Sequence, residues 1–223
     1  MISLTSLQEK IQHHLQDAVR GSNIAFGELT IEIDSAQWLA SAFILRDEPE
    51  LAFEQCVDLC GVDYLTYGLS EWETIQASAS GFERGVKRES VEQEKINAWV
   101  KPRFAVVYHL LSMKWNQRLA VRVFPTQEAL MIDSLLPVWP SVNWYEREAF
   151  DLFGIIFRDH PDLRRILTDY GFVGHPFRKD FPLIGNVAVH YDAATERVIY
   201  APVDITPRTL VPRVIRETEE LPS

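Results

Sequence analysis

Cysteine is scarce: Cys56 and Cys60 are the only two in 223 residues. Two thiols cannot build a disulfide framework, and they fall short of the four thiolates an iron–sulfur cluster normally takes. They read as structural thiols, so a redox centre is expected in another chain. Also missing is any run near the roughly 20 apolar residues that a membrane-spanning helix requires, which leaves membrane contact to a partner. A net charge of -10 supplies no basic footprint for phosphate, so nucleic acid is excluded as a partner class. No Gly-x-Ser-x-Gly, P-loop or Gly-x-Gly-x-x-Gly pattern occurs, which removes common hydrolase and nucleotide-enzyme signatures. The first residues lack the continuous apolar core of a signal peptide, which implies a cytoplasmic protein.

What is present suits one α+β domain, since 47% apolar residues fill a real core. Leu4, Leu7, Ile11, Leu15 and Ala18 recur at helical spacing, which predicts a helix over about residues 7–20, with Ser6 and Glu9 at capping-box spacing and Gly21 ending it. Leu29, Ile31 and Ile33 alternate with polar residues as a strand does, and Gly27 marks a turn before it. A helix carrying Trp38, Leu39, Ala42 and Phe43 must stop before Pro49. A short helical piece is expected over Leu51–Leu59, then a strand over Val62–Tyr67, then a polar surface excursion over 71–101. Phe104–Leu111 and the alternating Leu119, Val121 and Val123 form a hairpin. This order predicts an antiparallel or mixed sheet with helices mainly on one face, occupying residues 1–140.

From Trp139 onward the texture changes. Prolines and glycines crowd in, leaving room for one helix, Trp144–Phe153, with Asn143 and Glu146 at the spacing of a cap and its reciprocal acid. Residues 141–223 are therefore read as a docking helix plus an extended, partner-binding arm, because extended chain cannot satisfy its own backbone. Within the helix Arg147 and Asp151 stand at i and i+4 and are expected to pair, while Tyr145, Ala149, Leu152 and Phe153 make an apolar stripe. Glu146 and Glu148, two apart on a helix, point in different directions and make a poor acid/base pair. His160, His175 and His190 lie fifteen apart, which fits no compact metal site. They read as histidines that lock loops by hydrogen bonding.

Four blocks then stand out together: Asn143-Trp144-Tyr145-Glu146-Arg147-Glu148, Asp151-Leu152-Phe153-Gly154-Ile155, His160-Pro161-Asp162-Leu163-Arg164-Arg165-Ile166-Leu167, and Gly174-His175-Pro176 through Asp180-Phe181-Pro182-Leu183. Their combination resembles the C subunit of the proton-pumping NADH-quinone oxidoreductase, respiratory complex I, the thirty-kilodalton subunit family. Weaker similarity reaches back through Gly61–Leu65, Phe104–Leu110 and Leu135–Pro140. After Pro182 the sequence departs from the family's usual continuation, and Thr206–Glu217 lacks its Phe-rich ending.

The resemblance implies a peripheral-arm subunit on the cytoplasmic side of the bacterial inner membrane. It implies no cofactor or metal in this chain, with FMN, iron–sulfur clusters and quinone in partner subunits. The D subunit would be the main partner, with the B subunit as another. It implies no catalytic residue here; Glu146, Arg147, Glu148, Asp151, His160, Arg164, Arg165, His175, Arg178, Lys179 and Asp180 become structural and partner-binding residues. Two alternatives stay open: the equivalent subunit of a membrane-bound hydrogenase, and a free-standing hydrolase using Glu146, Asp151 and His160.

Overall fold

A computed structural model describes residues 3–65, 67, 74–75, 85–86 and 100–204. Most of the 71–101 excursion and the tail from 205 onward lie outside the described residues. The chain divides into two compact units, one of residues 1–65 and 101–181, the other of residues 66–100 and 182–223.

In the first unit helix α1 covers Leu4–Leu15 and buries Leu7, Ile11 and Leu15, one stripe at fourfold spacing. It starts and stops earlier than the sequence suggests. Ser3, not Ser6, is the cap, its Oγ accepting the Ser6 amide at 3.2 Å, and Gln16 turns to φ 46. A 3-10 turn, Gln16–Ala18, then releases Val19 to pair with Ile33, so Gly21 lies in a strand and ends no helix. Strand β1, Val19–Ala25, and strand β2, Glu28–Ile33, form an antiparallel hairpin. Helix α2, Trp38–Asp47, ends before Pro49 as expected.

The predicted helix over Leu51–Leu59 is absent. Ala52 takes φ 45, and strand β3 runs Gln55–Asp63, replacing both that helix and the Val62–Tyr67 strand. A bulge between Cys56 and Asp58 explains the misreading. It puts the buried Cys56 and Leu59 three apart on one face, which imitates a helical stripe. Beyond the short strands β4, Thr74–Ile75, and β5, Gly85–Val86, come β6, Phe104–Ser112, and β7, Gln117–Val123, the expected hairpin. Then follow β8, Met131–Asp133, helix α3, Val142–Phe153, and β9, Ile156–Arg158.

The main sheet has the order β1-β2-β7-β6-β3, antiparallel throughout except for the parallel β2–β7 pair. It is the mixed α+β sheet expected from the sequence. Its core face carries Leu29, Ile31, Leu119, Val121, Tyr108 and Leu110, all buried. Trp38 of α2 meets Tyr108 with ring centroids 4.8 Å apart. Helix α3 lies on the same face, over β3. A Cβ on Gly61 would come within 2.5 Å of Phe153 Cδ2, so only glycine admits the helix this close.

The sequence reading divides the chain at residue 140, but α3 and the residues on to Phe181 belong to the first unit. In the second unit β4 pairs with β5, and β10, Val187–Asp192, forms a hairpin with β11, Arg197–Pro202, where the sequence suggests only extended chain.

Candidate functional site

Helix α3 organises the chain that follows it as far as Arg178. Its first turn has no side-chain cap. Ser141 Oγ instead donates to Cys56 O at 3.0 Å, and the expected Asn143–Glu146 cap does not form. Glu146 turns inward and is fully buried. There Ser134 Oγ donates to its Oε2 at 2.6 Å and the Leu135 amide to its Oε1 at 2.7 Å. Burial pushes this carboxyl up to about 7 despite both hydrogen bonds.

His160 has a buried side chain whose Nδ1 accepts the Asp162 amide at 3.1 Å. That leaves the ring hydrogen on Nε2, which lies 3.4 Å from Asn143 O and 3.9 Å from Glu146 Oε2. The structure thus brings Glu146 and His160 together, both closed off from solvent.

The predicted Arg147–Asp151 ion pair is also absent. The nearly buried Arg147 donates through Nε to Arg164 O at 3.1 Å and through Nη2 to Arg165 O at 3.4 Å, and its guanidinium lies over the Trp144 ring. Asp151, one turn on, is directed to the loop after β9. Its Oδ2 accepts the successive amides of Ile166, Leu167 and Thr168 at 3.1, 2.8 and 2.9 Å. Its Oδ1 accepts Thr168 Oγ1 at 2.5 Å and Arg165 Nη1 at 3.2 Å.

Burial alone would raise the Asp151 carboxyl; the Thr168 hydroxyl and the three amides outweigh it and hold the group below the usual carboxylate range. Arg165 also donates to Gly174 O at 3.0 Å, so one carboxylate sets the course of residues 165–174.

Residues 175–178 close the carboxyl end of α3, where the last carbonyls of any helix lack partners. His175 Nδ1 donates to Asp151 O at 2.9 Å, the Phe177 amide to Leu152 O at 3.1 Å, and Arg178 Nε to Phe153 O at 2.7 Å. Burial, with the charges of Arg178 and Arg165, lowers the His175 ring below its usual value. Gly154 terminates the helix at φ 74. A Cβ there would meet Arg178 Nη2 at 2.5 Å and His175 Nε2 at 2.6 Å.

A second carboxylate anchors the far end. Asp63, its side chain fully buried, receives Arg103 through Nε at 2.8 Å and Nη2 at 2.7 Å, the Leu65 amide at 2.9 Å and the Lys179 amide at 2.9 Å. Arg103 reaches on to Asp180 at 2.9 and 3.2 Å. Burial would raise Asp63, but Arg103 and the two amides hold it low. Sequence reasoning misses Asp63 and Arg103 as members of this cluster. The available signal is an acid ending an apolar strand, with a basic residue opening the next.

Of the remaining predicted residues, Arg164 is exposed and bonded to Asp162 at 2.8 Å, Glu148 is half-buried, and Lys179 contributes its backbone while its residue stays exposed. Two of the histidines do lock loops, His160 and His175; His190 lies exposed in β10. The hydrolase alternative finds no support: Glu146 and His160 are sealed, and the Asp151 carboxylate is taken up by five donors. Among the described residues no group of three His, Cys, Asp or Glu is placed to hold a metal ion, and no helix is long and apolar enough to cross a membrane.

The outward side of the segment carries large apolar groups among its charges. Trp144, Leu167, Tyr170, Val173 and Phe177 are exposed, Tyr170 completely. Glu146, Arg147 and Asp151 are buried while these five large apolar groups are exposed, a patch out of keeping with an ordinary soluble surface.

The fold is of a kind found in respiratory membrane complexes. A chain of the membrane-bound sulfane sulfur reductase, an archaeal respiratory membrane complex, aligns with 81% of this chain and 86% of its own at a TM-score of 0.56 and 16% identity, a likeness of fold. Residues 31–187 match the model of the respiratory-chain NADH dehydrogenase 30 Kd subunit. The C subunit of NADH-quinone oxidoreductase from Legionella pneumophila (strain Paris) is 54% identical over 210 residues, 94% of this chain and 91% of its own. Its counterpart from Coxiella burnetii (strain Dugway 5J108-111) is 50% identical over 213 residues, 96% and 91% respectively. The chain belongs to the thirty-kilodalton subunit family of respiratory-chain NADH dehydrogenase, and its role is that of a subunit of NADH-quinone oxidoreductase, complex I.

Proposed function

We propose that the chain is a non-catalytic, cofactor-free scaffold of the peripheral arm, on the cytoplasmic side of the bacterial inner membrane, where it holds the D subunit and, secondarily, the B subunit in place. FMN, the iron–sulfur clusters and quinone belong to its partners in this reading. The observation that supports it is the exposed apolar patch that the hydrogen-bond network of the 144–181 segment carries. Glu146, Arg147, Asp151, His160, Arg165, His175, Arg178 and Asp180 fix the path of the chain, and the path presents Trp144, Leu167, Tyr170, Val173 and Phe177 as an apolar docking surface. Glu148, Arg164 and Lys179 supply its polar rim.

The test is copurification from cells expressing a tagged chain at native level. Recovery of the D and B subunits, loss of NADH-quinone activity on deletion, and no turnover by the isolated chain are expected. A tagged chain that brings down neither subunit, with activity intact after deletion, overturns the reading.

A further inference from the structure

The main sheet has two edges, and only one is defended. At β3 the carbonyls of Cys56 and Val57 accept Ser141 Oγ, just before α3, and Tyr145 OH of α3, both at 3.0 Å. At β1, the opposite edge, nothing comparable is found among the described residues.

The geometry of β1 decides which of its groups are free. The hairpin loop is Phe26-Gly27, with φ 54 and 78, both in the left-handed region, as a two-residue type I′ turn requires. Such a turn is closed by a hydrogen-bonded pair, Ala25 with Glu28. Alternation along an antiparallel ladder then makes Ile24–Leu29 and Ser22–Ile31 non-bonded pairs. The amides and carbonyls of Ser22 and Ile24 therefore point away from β2, along the open edge.

Natural edges are blunted by charges, proline or bulges. Here a bulge lies at the start, between Val19 and Gly21, and Arg20 is tied to Asp34 at 2.8 Å. Ser22-Asn23-Ile24-Ala25 carries neither charge nor proline. Gln8 of α1 donates to Ser22 Oγ at 2.7 Å and holds the strand in place without using its backbone.

Phe26 is the second, independent observation. It is fully exposed, and it occupies a left-handed position that suits Asn or Gly and strains a bulky residue. An aromatic ring there costs twice, once in backbone strain and once in exposed apolar area, and it packs on nothing among the described residues. Ile24, on the core face beside it, is also exposed.

We infer that the β1 edge from Ser22 to Ile24 is an attachment site for an extended strand of a neighbouring subunit, with Phe26 packing over that strand's end. The occupant follows from hydrogen-bond complementarity: alternate free amides and carbonyls on an extended edge are matched by another extended backbone. This rests on the reading of the chain as a subunit of a larger assembly.

The experiment compares backbone hydrogen exchange in the isolated full chain and in the purified complex. The Ser22 and Ile24 amides are expected to exchange rapidly in the former and to be protected in the latter. Two variants accompany it. Phe26→Asn restores the preferred Asn-Gly turn, so the isolated chain should melt at the same temperature or a few degrees higher. Its recovery of the complex should nevertheless fall about tenfold, the loss of one interface anchor. Ile24→Pro removes one outward amide at an edge position that tolerates proline, and should weaken recovery likewise.

If wild type recovers the complex but both amides still exchange rapidly in it, the inference is wrong and the scaffold reading stands. Undiminished recovery by both variants overturns it equally. Protection that appears in the isolated chain and grows with concentration assigns the edge to a second copy, which also overturns it. If wild type recovers no partner, the scaffold reading itself has failed.

Discussion

Asp151 and Thr168 meet twice, through the Thr168 hydroxyl at 2.5 Å and its amide at 2.9 Å, although seventeen residues separate them. One carboxylate on a helix thereby organises a loop that has no regular structure of its own. The first prediction concerns its removal. Asp151→Ala leaves three amides, a hydroxyl and a guanidinium without their acceptor, and should destabilise the chain by about 3–5 kcal/mol, the range for breaking a buried ionic network. Denaturant unfolding of wild type and variant measures it; a loss well below 1 kcal/mol would show that the loop holds its path without this group.

Glu146 gives a pH dependence of definite sign. Its carboxyl is raised from 4.5 to about 7 in the folded chain, so the folded state binds the proton more tightly than the unfolded state does. Its contribution to stability is full below about 4.5, declines as pH rises toward 7, and is flat above; the amplitude is roughly 3 kcal/mol. Glu146→Gln removes the titrating group and keeps the side chain neutral at every pH. Urea midpoints at pH 5 and pH 8 should show wild type losing stability relative to the variant at the higher pH. A constant difference between the two proteins would contradict the shift.

Gly154→Ala should cost about 2–4 kcal/mol, because it combines a left-handed backbone with a methyl group driven into Arg178 and His175. The loss should concentrate in the loop. Hydrogen exchange of the Phe177 amide, which bonds Leu152 O at the end of α3, should accelerate more than that of the sheet.

The exposed ring of Tyr170 separates docking from folding. Tyr170→Ser should change the unfolding free energy by less than about 0.5 kcal/mol, as surface substitutions do. Capture of the partner subunits should weaken about tenfold or more if the ring lies at the centre of the interface. Unchanged capture would exclude the ring from the contact.

Much of this is legible from sequence, and the failures have identifiable causes. Strand β2 alternates cleanly, and one buried face accounts for it; the β6–β7 hairpin is legible from its β-branched and aromatic residues, although Ala105 and Ala120 are buried on its other face as well. Helix α3 is placed within two residues, since Pro140 and Gly154 bracket it. Its side chains are misassigned because helical spacing reports only neighbours on the same helix. Arg147 and Asp151 could pair at i and i+4, yet each finds more partners on the loop that crosses them. Glu146 has the spacing of a cap and is a core residue for the same reason: Ser134 and Leu135 reach it only in three dimensions. The β3 bulge hides a strand behind a helical interval, and the Asp63–Arg103–Asp180 cluster joins three distant segments that no local pattern connects.

Asp63 carries one consequence in time. Its donors come from residues 65, 103 and 179, so the last arrives 116 positions after the acceptor. During synthesis, strand β3 and Arg103 are made long before Lys179, and the carboxylate waits with part of its shell empty. Only a chain that has emerged past Lys179 can complete the cluster. A product that stops short of Lys179 lacks this final fastening, so on the scaffold reading partner binding would discriminate chains that reach it from chains that do not.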